Sequence, residues 1–283
     1  MTTWHSELPP PDHAISGTDW LRVVLRGVPL ALLVFGGLAI LMLVRLIERP
    51  LFGLGRPLTP YIVQFVSRTA FLILGIRHRI EGRPMTQRGA VVSNHASWLD
   101  IFALNARKRV YFVSKSEVAD WPAIGMAARA VGTVFIRRTR QDAGAQKQVF
   151  EDRLKAGHKL LFFPEGTSSD GLRVLPFKST LFAAFFSPEL RYGMHIQPVT
   201  VSYQAPRDAD PRFYAWWGDM EFGAHFLSVL AARRGGAVSV RYHVPLKVSE
   251  FHDRKALAAR CEEEVRAGAP VIPPVIPEEP AAP

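Results

Sequence analysis

Thiol chemistry is nearly absent from this chain, in which Cys261 is the single cysteine. One thiol excludes an intramolecular disulfide framework and any zinc site built from several cysteines, and it fits a reducing compartment. Other absences narrow the chemistry further. There is no H-E-x-x-H pair and no other set of residues at metal-ligand spacing, so the sequence offers no metal site. There is no G-x-S-x-G elbow to carry a nucleophilic serine. No internal repeat, RNP-like run or zinc-finger spacing is present, and the basic residues are dispersed, which argues against nucleic acid. Acidic charge is also scarce: 25 Asp and Glu stand against 35 Lys and Arg, a formal net charge of +10 with a pI of about 10.1. That imbalance calls for an anionic partner, such as a phosphorylated substrate or an anionic bilayer.

The apolar content is concentrated near the N-terminus. A mean hydropathy of +0.07 is high for a soluble protein and too low for a polytopic membrane protein. Residues 1–20 are polar, include Pro9, Pro10 and Pro11, and read as a flexible tail. Gly27 to Val44 then runs without a charge and would span about 27 Å as a helix, close to the thickness of a bilayer. It starts too far in for a usual signal peptide, and no cleavage site clearly follows it. Tyr61 to Ile76 is apolar except for Gln64, Ser67 and Arg68, which share one narrow helical face. Residues 21–80 therefore read as a membrane-associated helical region. Its connecting loop carries Arg45, Arg49 and Arg56 against Glu48. The positive-inside bias favours one crossing with a cytoplasmic C-terminal domain, or a shallow hairpin that never crosses; the sequence leaves both open.

Beyond Arg77 the pattern becomes that of an α/β domain, a mixed central sheet flanked by helices. Strand-like runs fall at 89–94, 109–114, 133–138, 159–164, 196–203 and 237–244, with helical patterns at 141–156 and 179–186 between some of them. The segment 268–283 is proline-rich and reads as disordered.

The polar signals lie just past strand ends, where α/β domains place their sites. In Asn94-His95-x4-Asp100, positions i and i+5 lie on different faces of a continuous helix. His95 is therefore expected in the loop and Asp100 in the first turn of the next helix, where its carboxylate can bind one imidazole nitrogen and leave the other as a base. The bland alternative is a turn histidine beside a helix-start charge. In Phe162 to Gly171 an apolar strand breaks into small residues, Glu165, Gly166, Thr167, Ser168 and Ser169, whose amides can hold an anion. Gly132 to Arg140 ends a strand in Arg137 and Arg138, and arginine grips phosphate bidentately.

Taken together and in order, these blocks resemble the glycerolipid acyltransferases, the lysophosphatidic acid acyltransferases and their relatives. The resemblance rests on Asn94, His95 and Asp100; on Gly132, Phe135, Ile136 and Arg138; on Phe163 to Thr167 with Ser169; and on Ile196 to Val199, including Pro198. It covers roughly residues 80–200. The chain departs from the common pattern at Arg137, where the family often has Asp, and at Ser179-Thr180, where many members have glycine. The resemblance implies a membrane-bound acyltransferase domain over 81–267, at the cytoplasmic side of the cytoplasmic membrane. His95, oriented by Asp100, would take the proton of a lysolipid hydroxyl as it attacks an acyl thioester of coenzyme A or acyl carrier protein. The thioester is then a co-substrate and no cofactor is required. Asn94, Gly132, Arg137, Arg138, Glu165, Gly166, Thr167, Ser169, Lys178 and Pro198 are the expected acceptor-binding residues. The leading acceptor is 1-acyl-glycerol-3-phosphate, which would yield phosphatidic acid. Arg137 also admits a lyso-aminolipid such as lyso-ornithine lipid. A metallophosphoesterase would need further Asp and His ligands, and a non-catalytic protein that binds anionic lipid would leave His95 idle.

Overall fold

The computed structural model describes residues 4–11, 15–121, 124–136 and 143–269, with side chains in the fifth helix from Gln148 onward. Of the expected tail 268–283, residues 270–283 lie outside the described residues, as does the pair Arg137–Arg138, while Gly268 ends the last helix. Two helices lead, α1 (Asp19–Phe52) and α2 (Thr59–Leu74). There follow β1 (Arg77–Gly82), β2 (Gly89–Ser93), α3 (Asp100–Arg107), β3 (Tyr111–Lys115), α4 (Ile124–Val131), β4 (Val134–Ile136), α5 (Ala143–Lys155) and β5 (Leu160–Phe162). The chain continues through β6 (His195–Gln204), α6 (Phe222–Ala231), β7 (Ala237–Tyr242), β8 (Leu246–Lys247) and α7 (Arg254–Gly268).

The strands form one mixed sheet in the order β1-β7-β6-β2-β5-β3-β4, with β8 also on β6. β2, β3, β4, β5 and β6 run parallel, and β7 turns back antiparallel to β6. Buried on both faces, β2 and β5 read as continuous apolar runs rather than alternating ones. β2 sits between β5 and β6, so the loops leaving β2 and β5 emerge side by side at one edge of the sheet. One core cluster includes Val91, Leu104, Leu161 and Val240, and the other includes Val92, Phe150, Phe162 and Leu257. Phe182 and Phe185, from the short 3-10 turn at Leu181–Phe186, are fully buried in the second cluster.

The helical region differs from the expected segments in extent and in attachment. α1 runs past the uncharged stretch at both ends: Arg45, Glu48 and Arg49, expected in the connecting loop, lie in its last turns. At its start Arg22 Nε bonds Ala231 O at 2.8 Å and Arg26 Nη1 bonds Leu230 O at 3.0 Å, the carbonyls ending α6. Past its other end, Arg56 donates to Ala130 O in α4 at 2.7 Å. The turn between the helices is stapled by the buried Glu48, which accepts from the Leu58 and Thr59 amides and from Thr59 Oγ1. The polar face of α2 meets α3: Arg68 Nε donates to Ala106 O at 2.6 Å and Gln64 Nε2 to Arg107 O at 2.9 Å, filling orphan carbonyls of the last turn. Elsewhere the hairpin is bare, with Leu46, Leu51, Phe65 and Leu72 at 73, 68, 64 and 79 % exposed. α1 is the one described helix long and apolar enough to cross a membrane.

Two expected boundaries shift. β1 straddles residue 80, because its register with β7 from Arg77↔Ala237 to Gly82↔Tyr242 draws it into the sheet. Residues 4–11 lie against the domain: Pro9 O accepts from Arg212 Nη1 at 3.0 Å, and the Arg173 guanidinium sits 5.3 Å over the Trp4 ring.

Candidate active site

The site forms where β2 ends. The β2–β6 ladder runs from Gly89↔His195 to Ser93↔Val199, and then the chain turns away. Asn94 continues the ladder with its side chain: Nδ2 donates to Val201 O and Oδ1 accepts from Val201 N, both at 2.8 Å. A carboxamide carries the same donor and acceptor as a peptide group, so it completes the strand pairing while the backbone is free to bend. That bend presents His95.

Two neighbouring loops fix the backbone after the bend. Ser169 N donates to His95 O at 2.9 Å, and Trp216 N donates to Ala96 O at 2.8 Å. Asp100 begins α3 and is fully buried. Its Oδ2 accepts from His95 Nδ1 at 2.8 Å and from the amides of Ala96 at 2.9 Å and Ser97 at 3.1 Å. Its Oδ1 accepts from the Tyr203 hydroxyl at 2.6 Å. An ionised carboxylate only accepts, so Nδ1 carries the imidazole proton and the lone pair lies on Nε2. The His95 ring stacks on Phe163, with centroids 4.1 Å apart and 12° between planes, and 22 % of the side chain is exposed. An imidazole held at Nδ1, packed on one face and partly exposed is arranged to accept a proton at Nε2.

The loop after β5 closes on this dyad. Glu165 is buried, its Oε1 accepts from Leu175 N at 3.3 Å, and its Oε2 has no partner among the described residues. Burial pushes the Glu165 carboxyl well above the usual carboxylate range, against amides that favour the anion. Gly166 takes φ +76°, the left-handed turn that brings the loop back, and its amide donates to Phe163 O at 3.1 Å.

Comparison with known proteins fits this geometry. The Acyltransferase family model matches residues 76–202. The chain is similar to the lyso-ornithine lipid O-acyltransferase of Rhodobacter capsulatus, with 57 % identity over 265 residues, 94 % of this chain and 96 % of that one. The chain belongs to the acyltransferase family. It is also similar to the lyso-ornithine lipid O-acyltransferase of Brucella abortus, 40 % identical over 72 % of this chain and 79 % of that one. The 1-acyl-sn-glycerol-3-phosphate acyltransferase of Neisseria gonorrhoeae is 32 % identical over 66 % of this chain and 72 % of its own length. The fold matches the crystal structure of the 1-acyl-sn-glycerophosphate (LPA) acyltransferase PlsC from Thermotoga maritima, with a TM-score of 0.62 at 21 % identity over 89 % of this chain and 95 % of that one.

The acyltransferase brings His95, Asp100, Glu165, Gly166 and Ser169 to one edge of the sheet and spreads the other expected residues. Ser169 is fully buried, and its Oγ donates to Arg173 O and accepts from Gly171 N, so it shapes the loop. Thr167 is half-buried in the same loop. Lys178 is exposed and is tied back through its amide to Pro164 O at 3.0 Å. Pro198 is buried in β6 opposite Val92, in the gap between the β7 and β8 pairings, where its missing N–H breaks no ladder. Gly132 precedes β4 at φ +90°, where a Cβ would come within 2.8 Å of Arg56 Cζ, and its carbonyl accepts from Arg153. That places Gly132 at the start of β4, whereas the dyad follows the end of β2. Sequence reasoning missed Tyr203, and nothing in its local pattern marks a residue 103 positions from its partner.

Proposed function

We propose that this acyltransferase moves a fatty acyl group from an acyl thioester to the hydroxyl of a lyso-ornithine-type aminolipid. The observation that carries the acceptor is 57 % identity across nearly the whole of both chains with an enzyme named for that lipid. The two acceptors weighed from sequence share the same chemistry, and the full-length similarity favours the aminolipid over 1-acyl-glycerol-3-phosphate.

His95 Nε2 takes the proton of the acceptor hydroxyl as that oxygen attacks the thioester carbonyl. Asp100 stabilises the imidazolium that forms. The tetrahedral intermediate collapses, the carbon–sulfur bond breaks, and the departing thiolate takes the proton from the His95 imidazolium, which regenerates the base. The acyl donor, coenzyme A or acyl carrier protein thioester, is a co-substrate, and the base chemistry uses no resident cofactor. Glu165, Gly166 and Thr167, with Arg137 and Arg138, would hold the acceptor's polar head. Asn94, its amide engaged with Val201, acts by holding the bend that presents His95.

The protein works at a membrane. The exposed apolar residues of α1 and α2 support lying on the bilayer rather than crossing it. Arg22 and Arg26 bind one end of α1 to the domain, and Arg56 binds the turn beyond its other end to the same domain. Arg49 would meet anionic headgroups, with the domain on the cytoplasmic side, whereas Arg45 is turned inward onto Glu48 and the Gly53 and Gly55 carbonyls. An apolar groove of about 480 Å³ between the helices, lined by Leu32, Gly36, Ile40, Tyr61 and Phe65, would take a lipid chain.

The deciding experiment presents purified protein with lyso-ornithine lipid and 1-acyl-glycerol-3-phosphate in competition, with an acyl thioester as donor. The expected product is ornithine lipid. Preferential formation of phosphatidic acid would reverse the acceptor assignment.

A further inference from the structure

Asp100 gives its two oxygens different work. Oδ2 meets His95 and two loop amides, while the phenol of Tyr203 is the donor to Oδ1, at 2.6 Å. Tyr203 comes from β6, and its backbone is held opposite Val238 in the β6–β7 ladder. Its ring packs on Tyr214 with centroids 5.8 Å apart, and the Tyr214 hydroxyl is itself occupied by Gly236 N. The phenol is thus placed by the sheet.

We propose that Tyr203 is a positioning residue of the acyl-transfer site: its hydroxyl sets the rotation of the Asp100 carboxylate and draws charge toward Oδ1, moderating the pull of Oδ2 on His95. The reaction needs such moderation. His95 must take a proton from a weakly acidic hydroxyl and then give it to the departing thiolate, and an undiluted carboxylate would hold the imidazolium too firmly. Burial and the Asp100 charge both push Tyr203 ionisation well up, so it remains a donor throughout. The other ionisable groups facing this unit are Glu165 beside Asp100 and Tyr214 beside Tyr203, with Arg266 of α7 acting on Glu165 and Arg26 of α1 on Tyr214.

This inference rests on His95 being the base, so the test runs Tyr203→Phe beside His95→Ala in the full-length protein on vesicles, with lyso-ornithine lipid and acyl-acyl carrier protein. Tyr203→Phe keeps the ring and removes one donor. Its kcat on the acid side of the profile should fall about tenfold, with both KM values within about twofold. The deficit should close as pH rises, because the acid limb of the profile moves up by about one unit. In an Asp100→Asn background the same change should cost nothing further, since Tyr203 acts through that carboxylate. A loss independent of pH, or equal in both backgrounds, marks a packing role and overturns the proposal. A cooperative unfolding transition like that of the parent shows that the variant is folded. If His95→Ala keeps turning over, the base reading itself falls. If it is inactive while the Tyr203→Phe profile does not move, the Tyr203 assignment alone falls.

Discussion

Replacing Asn94 with alanine separates a residue that shapes the site from one that touches substrate. The change removes both partners of Val201 and leaves one amide and one carbonyl unpaired in a strand where Val201 is 2 % exposed. Each orphaned buried group costs about 1–3 kcal/mol, so the pair should cost about 2–6 kcal/mol. In a domain of this size each kcal/mol lowers the melting temperature by about 2–4 °C, so a central loss of about 4 kcal/mol appears as about 8–16 °C. Asn94→Asp should be about as harmful, because it sets a carboxylate oxygen against Val201 O. Thermal and urea unfolding of the detergent-solubilised protein give the stability. Below the transition the acceptor KM should stay within about twofold, while kcat drops about tenfold or more as the His95 backbone relaxes. A loss of stability under about 1 kcal/mol together with a tenfold rise in acceptor KM would instead place the amide on the substrate.

Two further perturbations probe the scaffold. His158 is buried against Tyr111, with ring centroids 4.2 Å apart, and burial with the nearby Arg153 pushes it down to about 4. Its unfolded form gains a proton near pH 6.5 and its folded form only near pH 4, so stability is lost as pH falls through that window. His158→Phe should flatten the acid limb of the stability curve by about 3 kcal/mol, and an unchanged limb in urea titrations from pH 7 to pH 4 would contradict this. On the hairpin, Leu46→Glu with Phe65→Glu removes two apolar anchors worth about 1.5–3 kcal/mol each, so partition onto anionic vesicles in a flotation assay should drop roughly 100-fold or more. Undiminished flotation would count against this surface as the anchor.

Legibility in the sequence followed the range of the interaction. The buried strands were readable because runs such as Ala90 to Val92 and Leu160 to Phe162 are continuous and apolar. The His95–Asp100 contact was readable because five residues of spacing and a strand end restrict where each can sit. The polar face of α2 was visible, although its target was not: Arg68 and Gln64 reach α3 carbonyls about forty residues away. β1, as Arg-His-Arg-Ile-Glu-Gly, carries too little apolar pattern to stand out and is a strand because β7 pairs with it. Asn94 was visible as a motif letter without a role, since its partner Val201 lies on a strand 107 positions later. Tyr203 was hidden for the same reason.

In the proposed mechanism the His95 imidazole, held by Asp100, is the base of acyl transfer. Turnover of His95→Ala on lyso-ornithine lipid in vesicles, with flotation measured in the same sample, tests it most directly. The expected result is a loss of at least about 100-fold in kcat with vesicle binding unchanged. A variant that binds vesicles and transfers acyl groups within tenfold of the parent would contradict it.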